Sequence, residues 1–83
     1  MNLFEPFDGE IEICTSGKTI LLKSIIPLPR CWIKISDTNG LIVFKKIEKD
    51  LTGLEISLNV AGGIYEVTIV SETRFAAKTV LLK

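Results

Sequence analysis

The side chains that could do chemistry are few. The chain contains no histidine, which removes the commonest general base and the commonest metal ligand at neutral pH. Cys14 and Cys31 are the two cysteines. A cysteine nucleophile needs a neighbouring base or cation to make its thiolate, and these two sit on separate strands without a His partner, so both read as structural. Glu10 and Glu12 lie two apart and share one face of an extended segment, the placement of a paired-carboxylate site. Charged faces are also how antiparallel sheets meet water, and a solvated face is the simpler reading. Gly62-Gly63 could begin a phosphate loop, but no Lys-Ser/Thr follows and both flanks read as strands, so the pair reads as a turn. The expectation is a protein without catalytic, cofactor-binding or metal-ligating residues, hence not an enzyme.

Trp32 is the residue that speaks most directly of binding. It alternates with the inward Ile33, which places it on an outer face with Lys34 and Ser36, and an exposed tryptophan is a natural anchor for a protein or glycan partner. The competing reading has Phe4 or Phe7 fold across it and bury it. Trp32 and Lys34 are therefore the candidate partner surface. Phe44, Lys45 and Lys46 read first as a solvated edge and only second as a basic and aromatic nucleic-acid surface.

The elements that must position these residues are strands. Alternating or β-rich runs occupy residues 10–15, 18–25, 31–36, 41–47, 55–58, 64–70 and 75–82, and no stretch sustains a helical period. The breaks between them are chemically distinct. Ser16-Gly17 ends the first run, and Pro27-Leu28-Pro29 excludes a central strand where it stands. Asp37-Thr38-Asn39-Gly40 carries an Asn-Gly pair suited to the positive φ angles of a tight hairpin. Glu48-Lys49-Asp50 forms a charged link, Thr52-Gly53 a turn after it, and Ala61-Gly62-Gly63 and residues 71–74 form the last two turns. Seven short strands at intervals of about 8–12 residues are the signature of an antiparallel, immunoglobulin-like β-sandwich, with a small barrel as runner-up. Ile11, Ile13, Ile33, Ile35, Ile56, Leu58, Tyr65, Val67 and Ile69 share inward parities and make the expected core. The final strand should be integral, with Val80 and Leu82 closing that core. Cys14 alternates outward and Cys31 inward, so no disulfide is expected. Residues 1–8 read as an arm and 9–83 as the domain.

Composition limits what such a domain can do. With 83 residues, 47% hydrophobic and 24% charged, there is room for one globular core. Ten Lys and Arg balance ten Asp and Glu, so no net field draws the chain onto nucleic acid. No apolar run approaches the ~18 residues of a spanning helix. The opening Met1-Asn2-Leu3-Phe4-Glu5-Pro6-Phe7-Asp8 has two acids and a proline where a signal peptide needs a basic head and an apolar stretch.

The second half of the chain carries a resemblance. Ile33-Lys34-Ile35-Ser36-Asp37-Thr38-Asn39-Gly40-Leu41-Ile42-Val43 reads as strand, Asp-x-Asn-Gly turn and strand, and Glu55-Ile56-Ser57-Leu58 is followed by Gly63-Ile64-Tyr65-Glu66-Val67-Thr68-Ile69. Over residues 31–83 this resembles the C-terminal sorting domains of type IX secretion cargo in Bacteroidetes, and equally a family of small secreted Bacteroidetes proteins of unknown function with an Ig-like sandwich. Sorting domains usually have one more residue between Leu58 and Gly63, and a paired lysine in the tail. The resemblance therefore implies first a non-catalytic secreted or cell-surface Ig-like module acting in recognition or assembly, located outside the cytoplasm after removal of a signal peptide. The sorting domain is the alternative.

Overall fold

The computed structural model describes residues 11–72 and 74–83, which form strands and their connections apart from Lys83 after the last strand. The expected arm over residues 1–8 lies outside the described residues, as do Glu10 and Thr73. Five strands follow in order: β1 (Ile11–Ser16), β2 (Thr19–Asp37), β3 (Ile42–Ser57), β4 (Gly63–Ser71) and β5 (Phe75–Leu82). Every pairing is antiparallel.

The count of seven expected strands is corrected to five, because two of the expected breaks lie inside continuous strands. Pro27 sits within β2 where its ladder to β3 is interrupted, and Pro29 follows between the paired residues Leu28 and Arg30, itself outside the paired set. Lys23 is registered with Gly53 and Leu28 with Leu51, so the segment between them is out of register. Pro27, inside that segment, forfeits no ladder hydrogen bond, which is why a bulged position tolerates it. Leu28 between the prolines turns inward and is buried. The charged link is likewise the bend of β3, and Thr52-Gly53, expected as a turn, continues that strand, with Gly53 paired to Lys23. Asp50 takes φ 53°, a left-handed conformation that Asp accepts more readily than most residues, and the chain re-enters the core at the buried Leu51.

Because β2 and β3 bend, each contributes to two layers. One layer is β1, residues 19–23 of β2 and residues 53–57 of β3; the other is residues 42–49 of β3, residues 30–37 of β2, β4 and β5. Two hydrogen bonds tie the layers to one another: Lys78 Nζ donates to the Ile13 carbonyl and Lys83 N donates to the Gly17 carbonyl. Between them lie Ile13, Ile20, Leu22 and Ile56 from the first layer and Cys31, Ile33, Ile35, Val67, Ile69, Val80 and Leu82 from the second. Each large aliphatic so buried contributes about 1.5–3 kcal/mol. Of the expected core, Ile13, Ile33, Ile35, Ile56, Tyr65, Val67 and Ile69 are buried, while Ile11 and Leu58 are half-buried and pack against it.

The Asp37–Leu41 hairpin departs from the expected two-residue turn. Gly40 N donates to the Asp37 carbonyl and Asp37 N donates to the Leu41 carbonyl. Among the hairpin residues Gly40 alone has positive φ, at 84°. This is a type I turn followed by a left-handed glycine, the three-residue hairpin loop. Asn39 therefore keeps negative φ, contrary to the expectation. The Asp37 side chain selects this form, since its Oδ1 accepts from both Asn39 N and Leu41 N at 2.9 Å.

Candidate recognition face

Alternation along β2 sends Ile33 and Ile35 into the core and Arg30, Trp32 and Lys34 to the outside of the four-strand layer. Strand register then decides what stands beside them. Trp32 is paired with Ile47 of β3 on one side and Val70 of β4 on the other, and Val70 is paired with Phe75 of β5. Ile47, Trp32, Val70 and Phe75 thus form one apolar row across all four strands, and they are 50%, 40%, 38% and 50% exposed. At a strand spacing of about 4.8 Å the row is about 14 Å long.

The rows on either side are cationic. Arg30 is registered with Lys49 and Lys34 with Lys45, and all four are exposed. Like charges placed directly opposite on a sheet are destabilising, yet two such pairs bracket the Trp32–Ile47 pair. The Arg30 guanidinium stands 5.4 Å from the centre of the Trp32 ring, a cation–π contact that holds both side chains in place on the surface. Among the described residues the ion pair that forms nearby is Lys46–Glu48, with Nζ 3.3 Å from Oε2. That oxygen is buried and has no aligned hydrogen-bond donor, so the contact is Coulombic. By strand alternation Lys46 and Glu48 lie on the opposite face of β3 from Lys45, Ile47 and Lys49; Phe44 goes with Lys46 and packs against the core.

The structure places Trp32 and Lys34 on one face and adds Arg30, Ile47, Val70 and Phe75 to them; Ser36, expected on that face, is instead buried, past the register shift that follows Ile35. These four were not singled out from sequence. Parity within each strand puts them on an outer face, but only the cross-strand register reveals that they are neighbours. Phe4 and Phe7, the expected cover for Trp32, lie outside the described residues.

The other candidates stay apart. Cys14 is exposed, Cys31 is buried, and both are free thiols. Burial, and secondarily the nearby Glu48 carboxylate, push the Cys31 thiol up from its ordinary value, the opposite of what a nucleophile needs. A Cβ at Gly62 would stand 3.2 Å from the Leu82 carbonyl oxygen, so Gly62 serves a close passage of backbone at the end of β5. Gly63 begins β4. The shallow hollow between the hairpin and β4 presents Asp37 and Glu66, and among the described residues no three His, Cys, Asp or Glu side chains gather to hold a metal. No helix of the described residues is long and apolar enough to cross a membrane.

No family model matches the chain, and no curated protein matches it. Among solved structures it is similar to a DUF3244 family protein with an immunoglobulin-like β-sandwich fold from Bacteroides vulgatus ATCC 8482. The TM-score is 0.81 at 20% sequence identity, over 89% of this chain and 84% of that one. At that identity the likeness speaks for the fold: the chain is an all-β, antiparallel, immunoglobulin-like β-sandwich.

Proposed function

We propose that this domain is a non-catalytic recognition module that works outside the cytoplasm, on the cell surface or after secretion, and that it binds a partner through the outer face of β3, β2, β4 and β5. The observation that carries the reading is the row Ile47, Trp32, Val70 and Phe75 set between two like-charge pairs. A sheet shaped for stability alone would place carboxylates opposite those lysines. A local rule broken on a surface, with aromatic anchors at its centre, is the pattern of a site kept for binding. The immunoglobulin-like fold it shares with a Bacteroides protein supports the class of the module.

The test is a photo-crosslinking residue placed at position 32 in the organism of origin, with position 19, in the other layer, as control. A discrete adduct from position 32 that position 19 does not give, in cells whose intact surface is accessible to added protease at this domain, is the expected result. Equal adducts from both positions, or a domain found only in the cytoplasm, would contradict the reading.

A further inference from the structure

Resting on that reading, we infer that the partner is another protein whose contacting surface is acidic, with apolar or aromatic side chains at its centre and carboxylates around them. The charge pattern selects this occupant. Arg30 and Lys49 lie on one side of the apolar row and Lys34 and Lys45 on the other, each row about 7 Å from the next, as residues two apart on a strand must be. Two acids stand at the margins of this face: Glu66 of β4 lies beyond the lysine row, registered with Ser36, and Glu72, just past β4, shares a hollow with Arg30. A partner with carboxylates at the same spacing meets four cations while its apolar centre covers Trp32. Charge complementarity of this kind sets orientation and speeds encounter.

Four other occupants fit less well. A second copy of this chain would bring the same four cations against each other, because a two-fold interface uses the same patch on both subunits. Ile47 and Val70 are branched aliphatics, which offer a sugar no flat ring to stack on, the Arg30 guanidinium already stands over the Trp32 ring, and the Phe75 ring lies at the far end of the row, two strands from Trp32. A nucleic acid or an anionic bilayer would satisfy the cations alone. Four sheet strands, however, present the apolar row flat, without an element that projects into a lipid layer or separates stacked bases.

The experiment measures binding of the domain to an immobilised random copolymer of glutamate and tyrosine. Polyglutamate, a neutral alanine–tyrosine copolymer, heparin, oligothymidylate and phosphatidylserine vesicles run in parallel. The variants are Trp32→Ala and the pair Lys34→Glu with Lys45→Glu, their folding checked by circular dichroism, and sedimentation reports self-association. Expected is saturable binding to the glutamate–tyrosine copolymer, weakened about tenfold or more by each variant and weakened by salt. Polyglutamate bound equally well and unaffected by Trp32→Ala would reduce the face to an ion exchanger and overturn the inference. Tighter binding to heparin, oligothymidylate or vesicles, or dimerisation through this face, would overturn it in favour of that occupant. Binding to the alanine–tyrosine copolymer that needs Trp32 but ignores the charge reversal would remove the acidic partner and leave the recognition face standing. No probe whose binding depends on Trp32 would overturn both.

Discussion

Lys78 Nζ donates a 2.8 Å hydrogen bond to the backbone carbonyl of Ile13, joining β5 at one edge of the sheet to β1 at the other. Lys78 stands on the inward side of β5 between Ala76 and Val80, where an inward-pointing charge also guards the edges against pairing with other chains. Its replacement by Met keeps the aliphatic stem and leaves the Ile13 carbonyl without its donor. Lys78→Met should cost about 0.5–1.5 kcal/mol, read as a lower denaturant midpoint. A chain ending at Ala77 loses much more, since Val80, Leu82 and the Lys83 amide that reaches Gly17 all go with it. Two buried aliphatics at about 1.5–3 kcal/mol each approach the whole stability of a small domain. That truncation should show no cooperative melt, and a melt near the full-length temperature would mean β5 is detachable, as a sorting signal would be.

The hairpin separates three residues that look equivalent in sequence. Asp37→Ala removes both side-chain acceptances and should cost about 1–2 kcal/mol. Gly40→Ala forces a side chain into φ 84° and should cost about 1 kcal/mol. Asn39→Ala should cost a few tenths at most, because Asn39 needs no positive φ. Denaturant midpoints of the three variants decide, and an Asn39 effect as large as that of Gly40 would restore the two-residue turn.

The cysteines should differ in reactivity. In the native protein a thiol reagent should modify Cys14 quickly and Cys31 only after unfolding. Folding raises the Cys31 thiol above its ordinary 9.0, by burial first and the Glu48 carboxylate second. The folded chain then holds that proton at a pH where the unfolded chain has lost it, so the thiol's contribution to stability is complete below that value and fades as pH rises past it. Glu48→Gln should soften the alkaline loss. Equal reactivity of both thiols in the native state would show that Cys31 is not enclosed.

Much of the fold is written in period two. Ile13, Ile33, Ile35, Tyr65, Val67 and Ile69 are inward by alternation alone, and so is the contrast between Cys14 and Cys31. What alternation does not carry is pairing. Pro27 and Pro29 look like strand breakers until the interrupted ladder beside them is known, and Leu28 and Leu51 look like loop residues until the bends carry them into the core. The candidate face shows the same division. Trp32 and Lys34 stand out from their own strand, whereas Ile47, Val70 and Phe75 join them through register between segments up to 43 positions apart in the chain, a relation no local pattern encodes.

Trp32 is the chain's single tryptophan, so its fluorescence reports on the candidate face alone. The measurement that bears most directly on that face is quenching by iodide compared with caesium at matched ionic strength. An indole open to solvent and flanked by Arg30, Lys34, Lys45 and Lys49 attracts the anion and repels the cation. Iodide should therefore quench more strongly than caesium, and Lys34→Glu with Lys45→Glu should narrow or reverse the order. Emission that neither ion quenches would mean that Trp32 is covered, and with it the face proposed for recognition.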